Sequence, residues 1–213
     1  MFRRGMAGLA MAGVLLLGIA VPGVLADTTG PGNSDVYSAD GYFEGPQMGV
    51  SVSVRVGKED GVAFSNLWVN QSSYQDITCK GKGKKTVPGQ IYTNVSGYSE
   101  GTAVIKIDKK LGTALASDTL MLTESTFNTC TGKETVGAAF KVSVSMDLHA
   151  TSGMTSTRSK SETTFPDGHK EIFTGKFDSR EAAGDLHFGG TSYAAAFGYL
   201  FHDVTTFVII PAH

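Results

Sequence analysis

Val50, Val52, Val54 and Val56 alternate with Ser51, Ser53 and Arg55. Successive side chains of an extended chain point to opposite faces, so this period of two predicts a strand with one apolar and one wet face. Lys58-Glu59-Asp60-Gly61 follows, a turn sequence leading into a second strand over 62–70. The pattern returns at 140–148, where Phe140, Val142, Val144, Met146 and Leu148 make the apolar face and Lys141, Ser143, Ser145, Asp147 and His149 the polar one. Residues 103–107 repeat it with Ala103, Ile105 and Ile107 inward. Further strands are predicted over 73–80, 90–96, 114–123, 169–177, 183–189, 192–201 and 204–210. Pro166-Asp167-Gly168 predicts a hairpin between 154–164 and 169–177.

Beyond the N-terminus no window sustains an apolar period of 3.6 residues, and the 27 glycines suit many tight turns. The fold class is therefore all-β, a single antiparallel β-sandwich or closed meander barrel of roughly ten strands. Large inward side chains would fill a thin core, which favours the sandwich. Residues 151–164 are almost wholly Ser, Thr and charged, as befits an edge strand that resists pairing with another chain. That segment offers no lipid-facing side, which argues against an outer-membrane barrel.

The first residues follow another logic. Arg3 and Arg4 precede the uncharged run 6–21, Pro22-Gly23 breaks it, and Val24 and Ala26 stand at the −3 and −1 positions of a cleavage site. This predicts a signal peptide over 1–26, a flexible Gly/Ser/Thr/Asp-rich leader over 27–38 and one β domain over 39–213. No later segment is long and apolar enough for a membrane helix. The expected location is secreted or cell-envelope/periplasmic, and the Ala/Gly-rich signal points to a bacterial source. The only two cysteines, Cys79 and Cys130, are expected to form one disulfide, worth about 4 kcal/mol for a loop of roughly 50 residues. The formal net charge of −2 gives no electrostatic case for nucleic acid.

No G-x-S-x-G, H-E-x-x-H, P-loop or G-x-G-x-x-G sequence occurs. One spacing recurs, Asp-x-His, at Asp147/His149, Asp167/His169 and Asp185/His187. On a strand, i and i+2 share a face, so each pair presents a carboxylate beside an imidazole. If the strands holding Asp147, His149, Asp185 and His187 were neighbours, the four groups could hold zinc and activate water. The plainer reading is ordinary polar alternation on a wet face. In 192–201, Tyr193, Phe197, Tyr199 and Phe201 are expected on one face, as core or as a platform for a sugar or apolar ligand, with Tyr193, Phe197 and Tyr199 as its contact residues. The function expected is that of an exported non-catalytic binding or surface-interaction module without cofactor, its partner an unidentified protein or carbohydrate. The alternative is a metal-dependent hydrolase built on the Asp-x-His pairs.

Overall fold

The computed structural model describes residues 32–45, 48–83 and 85–212. Eleven antiparallel strands form one sheet: β1 Ser34–Gly45, β2 Met48–Glu59, β3 Val62–Lys80, β4 Thr86–Glu100, β5 Val104–Ile107, β6 Thr113–Asn128, β7 Lys133–Val136, β8 Phe140–Ala150, β9 Thr155–Thr164, β10 Lys170–Phe188 and β11 Thr191–Ile210. The sheet closes on itself. From β1 it runs through β2, β3, β4, β6, β8 and β10 to β11, and β11 pairs back onto β1. Of the two architectures expected, the protein adopts the closed meander barrel rather than the sandwich. A one-chain pattern of apolar positions is the same for both; only the pairing of first and last strands separates them.

Local chemistry explains the turns. Asp60 and Gly61 both have positive φ, 52° and 78°, as a two-residue hairpin of the primed kind requires. Gly168, at φ 89°, closes the β9–β10 turn, where the Phe165 N–H donates to the His169 carbonyl. Several expected strands are fused into longer ones. Segments 62–70 and 73–80 form β3, 169–177 and 183–189 form β10, and 192–201 and 204–210 form β11. The interruptions between them, 71–72, 178–182 and 202–203, are polar but contain neither Gly nor Pro to break the extended chain. Strand β1 begins at Ser34, inside the stretch whose composition resembles a leader.

Inward side chains fill the barrel. Phe43, Val50, Val52, Val54, Leu67, Leu120, Leu122, Met146, Leu148, Leu186 and Leu200 are fully buried in one cluster. Eight strands enclose an interior just wide enough for such packing. The wall facing out carries Ser51, Ser53, Arg55, Ser145, Asp147 and Asp185. The lumen is apolar, where a barrel that sits in lipid has a polar interior, and the outer wall mixes these polar residues with exposed Trp68, Tyr98, Leu115 and Met121. Phe140 is the exception on its strand, 40% exposed at the mouth. The β5–β6 turn folds inward and places Leu111 in the core with no exposed surface, although its φ is 54°.

Two parts project from the barrel. At one end β3, β4, β6 and β7 carry the Cys79–Cys130 disulfide, with Cα atoms 5.2 Å apart. Gly89 lies against this bridge, where an added Cβ would run into both sulfurs. At the other end β10 extends past β8, pairing there with β9 on one side and β11 on the other, to make a three-stranded blade. All ten residues of β9 are exposed, and the strand forms the blade's edge, as its composition predicts.

Candidate functional site

The register of β8 against β10 decides the Asp-x-His constellation. The two strands are neighbours, and Asp147 stands directly opposite Asp185. His149 is level with Ala183 and His187 with Ser145, on opposite sides of the carboxylates. Four residues of strand, about 13 Å, therefore separate the two imidazoles along the ladder. His149 Nε2 lies 3.0 Å from the Asp147 carboxylate, and His187 Nδ1 lies 2.7 Å from the Ser192 hydroxyl. The sequence expectation of convergence is met by the aspartates and not by the histidines, because antiparallel pairing runs the two Asp-x-His steps in opposite directions. Among the described residues no group of three or more His, Cys, Asp or Glu side chains is placed to hold a metal ion. Asp167 and His169 lie apart from these, in the β9–β10 turn, where His169 stacks on Phe165 at 4.3 Å.

A second polar group went unnoticed in the sequence. Tyr37, His202, Asp178 and Ser156 form one row across β1, β11, β10 and β9, on the face turned toward the barrel axis. Asp178 is the one buried charged side chain among the described residues. Its carboxylate accepts from the Lys176 ammonium at 2.5 Å and from the Ser156 hydroxyl at 2.6 Å. These bonds favour the ionised form and hold Asp178 below the usual carboxylate range. His202 stacks on Tyr37 at 4.0 Å, and its Nε2 lies 2.8 Å from the Asp35 carboxylate. Burial, then the Asp35 charge, raises the Tyr37 phenol above its ordinary value. Every ionic member here is partnered, so the row ties the blade to the barrel. Residues that meet across four adjacent strands but lie far apart in sequence leave no periodic signal.

The aromatic residues of β11 are arranged otherwise than the alternation implied. Tyr42 of β1 pairs with Phe197, but the next residue, Phe43, pairs with Ala195, leaving Ala196 as an extra residue. The same irregularity appears against β10, between Ala182 and Asp185. This bulge inverts the faces. Tyr193 and Ala195 pack against the core, and so do Gly198 and Leu200, while Phe197, Tyr199 and Phe201 point outward. The expectation that Tyr193 shares a face with Phe197 and Tyr199 is thereby corrected.

Outward, these rings continue into a ladder. Tyr42 stacks on Phe197 at 5.1 Å, Phe197 meets Tyr199 at 6.3 Å, Tyr199 stacks on Phe201 at 5.9 Å, and Phe201 stacks on Phe177 of β10 at 5.5 Å. Phe197 is 54% exposed, Phe177 41% and Tyr199 39%. Other exposed aromatics occur on β3, β4 and β6, with Trp68 opposite Tyr98 and Tyr74, Tyr92 and Phe127 in one row. No stacked or tilted ring pair joins them among the described residues. The stripe on β1, β11 and β10 is thus the run of exposed aromatics in which each ring stacks on or tilts against the next. Surface of this kind marks binding sites more often than does a scattered ring.

Fold and stripe together define the class: an antiparallel meander barrel with a projecting blade and an aromatic ladder on its outer wall. Compared with protein-family models, curated proteins and solved structures, the chain matches none. Among the described residues no helix is long and apolar enough to cross a membrane.

Proposed function

We propose that this chain is an exported, non-catalytic binding module that seats its partner on the outer stripe of Tyr42, Phe197, Tyr199, Phe201 and Phe177. The bulge at Ala196 carries the reading, because it sets three aromatic side chains of β11 on the outer face, where unbroken alternation from Tyr193 would have turned them inward. Leaving such rings about half exposed forgoes part of the roughly 1.5–3 kcal/mol that full burial of each would supply, an expense consistent with use of the surface. Export is supported by the charged, apolar and small-residue order of residues 3–26 and is compatible with the disulfide.

The test is retention on a panel of immobilised peptides and glycans, with F197S/Y199S compared against W68S. Loss of a bound ligand in the first variant alone supports the stripe. Equal retention by all three proteins places binding elsewhere, and turnover on a panel of hydrolase substrates overturns the non-catalytic reading. N-terminal sequencing of the exported protein is expected to begin at Asp27.

A further inference from the structure

Resting on the stripe as the binding surface, we propose that its occupant is an extended polypeptide segment carrying two arginines four residues apart. The stripe lies in an anionic frame. The outward positions of β1, β11 and β10 carry Asp40, Glu44, Asp203, Glu181 and Asp185, and none of these is in an ion pair among the described residues. The cations of β10, Lys176 and Arg180, point to the opposite face, where Lys176 meets Asp178 and Arg180 donates to the Ser152 carbonyl. One face of the strands is thus aromatic and acidic, and complementary to a ligand that is both apolar and positive.

The spacing of the frame selects the ligand. Tyr199 is paired with Asp40 on one side and Glu181 on the other. The next level outward, Phe201, lies between the uncharged Ser38 and Ser179. The level after that holds Asp203, between Val36 and Phe177. Tyr199 and Asp203 are four residues apart, about 13 Å along the strand, and an extended peptide repeats same-side positions about every 6.8 Å. A segment with arginine, an apolar residue and arginine at i, i+2 and i+4 meets the three levels in turn. Arginine stems lie along the rings, and the planar heads fork onto the carboxylates.

The molecule already contains this arrangement once. On the same outer wall Arg55 lies 5.4 Å from the centre of the Phe64 ring while its guanidinium donates to Glu59 at 2.8 Å. On this face β1, β11 and β10 carry rings and acids but no Lys or Arg; Arg55 of β2, opposite Ser38 at the Phe201 level, borders the stripe with its guanidinium already engaged by Glu59 and Phe64.

The experiment is fluorescence anisotropy of the intact mature protein with a labelled Gly-Arg-Ser-Leu-Ser-Arg-Gly peptide. Its controls replace arginine with lysine or with glutamate. Saturable binding is expected for the arginine peptide, weaker binding for lysine and none for glutamate, with affinity falling as salt rises. D40N/E181Q is expected to weaken the arginine peptide at least about tenfold, a loss of about 1.4 kcal/mol, while D147N leaves it unchanged. Asp40 is half-buried and Glu181 exposed, both on the outer wall, and unchanged circular dichroism confirms that each variant folds. No binding of the arginine peptide, or binding indifferent to D40N/E181Q, overturns the inference. If the panel ligand is lost in F197S/Y199S yet retained in D40N/E181Q, the stripe stands and its cationic occupant falls. If F197S/Y199S retains every ligand, both fall.

Discussion

Asp147 and Asp185 face each other directly across the β8–β10 ladder, two like charges on the outer wall of the barrel. Such a pair destabilises a sheet by a few tenths to about 1 kcal/mol. D185N is therefore expected to raise the urea midpoint, with a larger gain at low ionic strength. If the two carboxylates served together as metal ligands, the same substitution would lower the stability of protein purified with its metal, so the sign of the change distinguishes the two cases.

Leu111 closes the barrel from the β5–β6 turn, fully buried and with positive φ. Removing its side chain leaves a void that the surrounding strands can refill only in part. L111A is expected to cost about 2–5 kcal/mol in chemical denaturation. Substitution of the exposed Val104 on the adjoining strand is expected to change stability by less than about 0.5 kcal/mol.

Asp178 couples the blade to acidity. Its folded pKa is depressed by the Lys176 and Ser156 bonds, so the stability it adds is fully present above the unfolded carboxylate value of about 3.9. That stability is lost as pH falls through the lower folded value. Urea midpoints measured between pH 6 and pH 2.5 are expected to drop more steeply for the wild type than for D178N. The wild type should be the more stable at pH 6, and the gap should narrow toward pH 2.5.

The disulfide region makes a separate claim. Reduction, or C79S/C130S, is expected to cost about 4 kcal/mol by the chain-entropy relation. G89A would push a methyl group into both sulfurs. It is expected to slow oxidative closure, read as free thiol persisting longer in an oxidative refolding time course, where G153A, with open space and no positive φ at that position, should match the wild type.

The parts of the fold legible in the sequence are those with local causes. The valines of β2, the Asp60-Gly61 turn, the polar β9 and its hairpin with β10, and the Cys79–Cys130 bridge all follow from periodicity, turn chemistry or cysteine count. Closure of the barrel was not legible, because it depends on pairing β1 with β11 across nearly the whole chain. Nor was the orientation of the β11 aromatics. One extra residue, Ala196, inverts every side chain after it, and an alanine in an Ala-rich strand carries no mark of a bulge. The sequence left open whether the strands of Asp147/His149 and Asp185/His187 adjoin; they do, but both that adjacency and the direction of travel that separates His149 from His187 are properties of pairing rather than of either segment.

The seam between β1 and β11 also governs when the molecule can exist. Ser34 pairs with Thr205, so the first strand of the barrel waits for the last before its hydrogen bonds are complete on both sides. Contacts this distant in sequence raise contact order and slow folding. A nascent chain lacking its final segment has no closed wall and stays open. Under the export proposed above, late closure would be an asset, since the polypeptide would remain in a translocatable state until synthesis and passage are finished. The same adjacency places the two ends of the barrel side by side, so joining them and opening the chain at Asp60-Gly61 would move the waiting strand to the middle of the sequence and let the wall close in a different order.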